Sequence, residues 1–282
     1  MNDDAFGATI AKRKLARRLR ELREANGYTA NQVCDKLDWG RGKVGRFESN
    51  GWIRPDMSDV RDLLRLYEKS DQEAQELERL AVLARERPWW RAYADVFDNE
   101  FPGYEGDADR IRVFVPLVVP GLLQTRAFVR AYMRAGSRTD EWRETAAEAR
   151  LKRQDILDRE ENAPKLVAVI TEASLMHQWG SAAERREQIL HLVDMGQRPN
   201  IDLRMLRFED GMPAGAAGVV NIFDFPGDEP TLVFAETEFT IREVTDTVLA
   251  KAHIDTFELI HERAASPSAT VAQLRKLAKQ LE

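Results

Sequence analysis

Arg41, Lys43 and Arg46 crowd one short stretch, "GRGKVGRFES" (40–49). Cations at this density suit phosphate oxygens, and arginine also suits the paired acceptors of a guanine edge. Val44 and Phe47 are the apolar residues of the stretch. Gly42, Gly45, Arg46 and Ser49 then fall roughly opposite them on a helix, towards solvent or a partner. Just upstream, Thr29 and Gln32 have the spacing of a capping box, in which hydroxyl and amide each satisfy an orphan backbone N–H. The expected chemistry is recognition of double-stranded DNA by Thr29, Gln32, Arg41, Gly42, Lys43, Arg46 and Ser49.

A second, weaker set lies downstream. Trp89, Trp90 and Tyr93 could line a ligand pocket or simply pack. Gly121 follows Pro120 at the start of a turn, where close approach or free N–H groups could hold an anion or a peptide carboxylate. Arg150 and Arg153 stand one helical turn apart, with a solvated face or an internal ion pair as the plain explanation. Catalysis is not expected. The histidines are His177, His191, His253 and His261, and no HExxH, CxxC or P-loop pattern occurs. Glu172 near His177 is the nearest thing to an acid–base pair. No catalytic residue, metal or cofactor is assigned.

The elements that position the cations can be read from periodicity. Ala11, Leu15, Leu19 and Leu22 mark one face of a first helix, about 9–26, which Gly27 ends. A second helix starts at Thr29 and ends near Leu37. A third starts at Gly40, with Trp39 and Val44 as a staple. A fourth follows Asp56, and a fifth starts at Ser70 with Glu73 as its capping partner. Two short helices joined by the tight turn "DWG" make a helix-turn-helix, whose second helix enters the major groove.

Bulk composition agrees. Residues 8–69 hold 15 Lys/Arg against 9 Asp/Glu, a balance of +6, in a chain whose net charge is −6. The remainder therefore carries −12, so a basic module sits on an acidic protein. No apolar run reaches the ~18 residues of a membrane span. The single cysteine, Cys34, is expected to be a packing residue and fits a reducing cytoplasm.

The stretch "YTANQVCDKL" followed by "VGRFESNGWIRP" resembles the XRE-type helix-turn-helix family, the fold of lambda-type repressors. Arg46-Phe47-Glu48 stands where that family often has an Arg–aliphatic–Glu trio. Ala30 departs from a Gln that often touches DNA, and Gly42 and Gly45 depart from common Ser positions. As helix-interior glycines, each would cost about 0.8–1 kcal/mol relative to Ala. The expectation is that they let the backbone approach the groove. Further on, "VVPGLLQTRAFVRAYM", "RLKRQDIL", "TEASL" and "LRFEDG" resemble actinobacterial WhiJ-like regulators over about residues 9–280. That resemblance implies a transcriptional regulator with a C-terminal domain of unknown function. Such regulators are often encoded beside a small partner protein and are sometimes antitoxin-like.

The fold expected is α+β overall. An all-α lambda-repressor-like domain at 9–87 precedes an α+β sensor or partner-binding domain at 88–282. Strands are expected at 165–171, 200–206, 218–225 and 231–238. The short loop "PGDEP" points to a mostly antiparallel sheet. The function expected is a cytoplasmic, homodimeric DNA-binding regulator whose second domain binds a small protein. An antitoxin-type interaction protein and a small-molecule-sensing repressor are the alternatives.

Overall fold

Local signals decide where the first five helices begin. In the computed structural model, which describes residues 7–51, 54–133, 138–211, 215, 218–237 and 240–282, Thr29 and Gln32 close their capping box. Thr29 N donates to Gln32 Oε1 at 2.8 Å and Gln32 N to Thr29 Oγ1 at 3.2 Å. Asp56 caps the fourth helix through Ser58 N, and Ser70 and Glu73 cap the fifth. The helices are α1 (Ala8–Ala25), α2 (Ala30–Lys36), α3 (Lys43–Glu48), α4 (Met57–Leu66) and α5 (Asp71–Leu83). Leu15, Leu19, Val33, Cys34, Val44, Val60 and Leu63 are buried among them. These helices lie in one compact unit, Met1–Ala92; a second comprises Tyr93–Glu282.

The third helix starts later than its sequence suggests. Gly42 is its N-cap, with φ 83° in the left-handed region, so it is not a helix-interior residue. The conformation explains the glycine, since a Cβ is disfavoured there. Gly45 alone is interior.

The second unit is an α+β layer. Its helices are α6 (Phe101–Asp107), α7 (Arg126–Met133), α8 (Asp140–Lys152), α9 (Ala173–Met176), α10 (Ala182–Met195), α11 (Thr247–Arg263) and α12 (Pro267–Lys279). Its strands are β1 (Arg110–Val115), β2 (Lys165–Thr171), β3 (Ile201–Leu206), β4 (Val219–Asp224), β5 (Leu232–Glu236) and β6 (Ile241–Glu243). They form one six-stranded sheet in the order β3-β2-β1-β4-β5-β6.

The sheet is mixed, not mostly antiparallel. β1 pairs parallel with β2, and β2 with β3. The pairings β1–β4, β4–β5 and β5–β6 are antiparallel. Helical crossovers between β1 and β2 and between β2 and β3 force the parallel half. Leu166 to Ile170 of β2 are all buried, the signature of a strand covered on both faces. The loop "PGDEP" dictates only the β4–β5 hairpin.

Side-chain alternation sorts the sheet into two faces. Phe114, Val167, Val169, Val220, Ile222 and Val233 pack with Phe257 and Ile260 of α11. On the other face Phe223 and Phe234 meet Phe101 of α6, with ring centroids 5.2 and 5.4 Å apart.

Candidate nucleic-acid interface and C-terminal cavity

Arg41 and Arg46 are exposed, and among the described residues neither takes part in an ion pair. Lys43 differs. Its Nζ lies 2.6 Å from Asp59 Oδ1 and 4.1 Å from the centre of the Trp39 ring. That tether joins the start of α3 to α4. Trp39 in turn stacks on Phe47, with centroids 6.2 Å apart and planes at 20°. The turn residue therefore packs on the buried side of α3.

The far end of α3 is held from α1. Arg23 Nε and Nη2 donate to Glu48 Oε1 and Oε2 at 2.6 and 2.9 Å, and Nη1 donates to Tyr28 O at 2.7 Å. Bidentate geometry of this kind fixes orientation as well as distance. The hydrogen bond to Glu48 raises the Arg23 pKa against the opposing effect of burial. Tyr67 lies buried near the pair, and burial pushes its hydroxyl pKa up, with the Glu48 charge adding to the effect. Thr29, Gln32 and Ser49 are all exposed; the first two engage each other as the α2 cap, and Ser49 follows the last turn of α3.

In the second unit, "VPGLLQT" forms a loop over the sheet face opposite α11. Gly121–Leu123 is a single 3₁₀ turn. Three side-chain amides hold the loop. Gln124 Nε2 donates to Val119 O at 2.7 Å, and Gln154 Nε2 donates to Gly121 O and Gln124 O at 3.0 and 2.8 Å. Gln188 receives a hydrogen bond from Thr125 N at 2.7 Å and gives one to Leu123 O at 2.8 Å. The N–H groups of Leu123 and Thr125 are thus engaged internally rather than offered to an anion.

Beneath this loop is a cavity of about 330 Å³. Gly121, Arg150 and Arg153 all line it. Arg153 is locked to Glu105, with Nε–Oε2 at 2.7 Å and Nη2–Oε1 at 2.8 Å, and its guanidinium stands 5.4 Å from the Phe101 ring centre. Burial opposes that charge, but Glu105 outweighs it and the Arg153 pKa is raised. Arg150 has a 3.3 Å hydrogen bond to Gln124 Oε1 and a 5.4 Å approach to the Tyr132 ring. Burial first, and then the neighbouring Arg153 charge, lower its pKa.

Two family models match the chain. Residues 14–77 match a helix-turn-helix domain, and residues 99–276 match a domain of unknown function, DUF5753. The second match alone spans more than half of the chain. This chain belongs to the DUF5753 family. No curated protein and no solved structure matches it. The helix-turn-helix match contains α2 and α3, and the DUF5753 match contains the whole sheet and the cavity.

The downstream candidates separate in the DUF5753 protein. Gly121, Arg150 and Arg153 converge on the cavity. Trp89 and Trp90 belong to the N-terminal unit and are not among its lining residues; Trp90 is buried, with the Arg91 guanidinium 4.4 Å from its ring centre. Glu172 Oε2 accepts a hydrogen bond from Phe208 N at 3.0 Å. No helix is long and apolar enough to cross a membrane, and no cluster of metal-ligating side chains occurs, among the described residues.

Sequence reasoning missed several residues. Glu105 and Asn221 are buried polar groups on the cavity wall, and Asp59 and Arg23 are the anchors of α3. Asn221 left a usable trace, being the one polar residue inside the apolar run "GVVNIF". Arg23 left none, because its partner lies 25 residues away.

Proposed function

We propose that this protein is a sequence-specific DNA-binding transcriptional regulator. Residues 9–87 would bind the operator, and residues 88–282 would control that binding. The observation that supports this best is the pair of exposed arginines, Arg41 and Arg46, on and beside a short helix braced at both ends inside a matched helix-turn-helix. Arg46 is suited to a base edge and Arg41 to a phosphate. Lys43 contributes mainly by holding α3 in place. A single helix of this length reads few base pairs. We therefore propose a homodimer reading two half-sites about 34 Å apart or a multiple of that.

The resemblance to WhiJ-like XRE regulators supports the same reading. It also supports a cytoplasmic protein with a small protein partner encoded nearby, in the manner of an antitoxin. On this reading the chain is a binding protein and not an enzyme. A second reading, a small-molecule-sensing repressor, is favoured by one observation: the cavity that gathers Arg150 and Arg153 under a rigidly held loop. The acidic balance of residues 93–282, 23 Lys/Arg against 32 Asp/Glu, suits a domain that stays off the DNA.

The test is selection of bound fragments from randomised duplex DNA by the full-length protein, followed by light scattering of the complex. An inverted or direct repeat occupied by two chains is expected. Enrichment of no sequence over the starting pool would overturn the proposal.

A further inference from the structure

The C-terminal cavity carries donors that the protein itself does not use up. Its volume, about 330 Å³, falls at the lower end of small-molecule sites, roughly 300–1,000 Å³. Ile111, Val113 and Val115 of β1 give it an apolar floor. Arg150 enters from the end of α8. Among the described residues no carboxylate lies within ion-pair distance of it, and its hydrogen bond to Gln124 is a long 3.3 Å. Arg153 shows what a satisfied neighbour looks like, with both carboxylate oxygens of Glu105 engaged.

Asn221 adds a second, independent sign. It sits in the middle of β4, buried at 7% exposure, on the face that lines the cavity. Its side-chain Nδ2 is buried without a hydrogen-bond partner. Buried donors are ordinarily satisfied, and a guanidinium withdrawn from water without a counter-charge is more costly still. A guanidinium with no carboxylate partner and an amide N–H with no acceptor, on the wall of one cavity under a loop fixed by three glutamine amides, point to an anion site.

We propose that this cavity binds a small organic monoacid, with its carboxylate on Arg150 and Asn221 and its apolar body against Ile111, Val113 and Val115. Glu236, at the end of β5, lines the same cavity and has no ion-pair partner among the described residues. Its charge disfavours a second carboxylate and favours an acid that also bears an ammonium group. The inference deepens the sensor reading above and rests on it only for the consequence at DNA.

The experiment is titration of the full-length protein with hexanoate, hexanamide, leucine and leucinamide, followed by protein-observed NMR. The acids are expected to bind at millimolar or lower concentration and the amides at least about 10-fold more weakly, as befits loss of a charge-assisted bond. Arg150→Gln should weaken acid binding by a similar factor. Asn221→Asp keeps the side-chain volume and adds a competing carboxylate, so it should abolish acid binding while the far-UV spectrum stays unchanged. Arg186→Gln, on α10 and paired with Glu282, should leave acid binding intact. Tighter binding of leucine than of hexanoate supports the part given to Glu236, and the reverse order removes it. Failure of both acids to bind, equal affinity for acids and amides, or acid binding unaltered in Arg150→Gln and Asn221→Asp would overturn the site. Acid binding that leaves operator affinity unchanged would keep the site and overturn only the sensor reading.

Discussion

Arg23, on the last turn of α1, grips Glu48, the final residue of α3, through two parallel hydrogen bonds of 2.6 and 2.9 Å. Both side chains are almost wholly withdrawn from water, at 12% and 10% exposure. The pair therefore sets where α3 ends relative to the rest of the helical unit. Removing Glu48 leaves the poorly solvated Arg23 guanidinium with only a longer, 3.3 Å contact to the exposed Glu24 and its bond to Tyr28 O. Glu48→Ala should cost about 3–5 kcal/mol of stability. The double variant Arg23→Met/Glu48→Leu should cost clearly less. Denaturant unfolding of both single variants and the double variant checks this, and a double-variant loss equal to the sum of the two single losses would show that the pair is not coupled.

The two glycines of the α3 region should answer oppositely to alanine. Gly42 has φ 83°, so Gly42→Ala forces a left-handed alanine and should cost about 1–2 kcal/mol. Gly45 is helical, and a Cβ there meets nothing within 4 Å. Gly45→Ala should stabilise by up to about 1 kcal/mol. Thermal unfolding separates the two. DNA affinity of Gly45→Ala then tests close backbone approach, which requires that the added methyl weaken binding.

Lys43 and Arg46 should behave differently despite their proximity. Lys43 is engaged by Asp59 and Trp39, so Lys43→Ala should act mainly through the placement of α3 and lose little sequence discrimination. Arg46→Ala should lose roughly 1–3 kcal/mol of specific binding if it makes a bidentate base contact. If Arg46 touches only phosphate, the loss should be equal on all sequences, and the salt slope should fall by about one. Fluorescence anisotropy at several salt concentrations distinguishes these outcomes.

His191, on α10, gives the C-terminal domain a pH dependence. Burial lowers its pKa below 6.5, against the opposing pull of Asp194 and Glu187. A histidine depressed on folding binds its proton more readily when unfolded. Its contribution is therefore fully present above 6.5 and is lost as pH falls through the folded value. Stability measured from pH 7.5 down to 5 should decline, and His191→Phe should flatten that part of the decline. An unchanged slope in His191→Phe would assign the effect elsewhere.

Legibility in the sequence followed the range of the interactions. Capping boxes at Thr29–Gln32 and Ser70–Glu73 are written within four residues, so the helix starts were readable. Strands β2 to β5 were readable from β-branched apolar runs. Strand β6, of three residues, is too short to leave a pattern, and its residues 242 and 243 look like the start of α11. The parallel half of the sheet was hidden because pairing of β1 with β2 depends on a crossover of some fifty residues. Gly42 was legible as a glycine but not as a left-handed cap, since a positive φ leaves no periodic mark in the sequence. Arg150 and Arg153 were noticed as a pair, yet only the fold brings Glu105 to one of them and a cavity to the other.

On the function proposed above, α3 and its flanking turn read DNA through Arg41 and Arg46. The most direct measurement is the ratio of operator to random-sequence affinity for Arg41→Ala/Arg46→Ala against the parent protein at one fixed salt concentration. The ratio is expected to collapse by at least about 10-fold while the unfolding midpoint is unchanged, because both side chains are exposed. A folded double variant that keeps the parent ratio would contradict it.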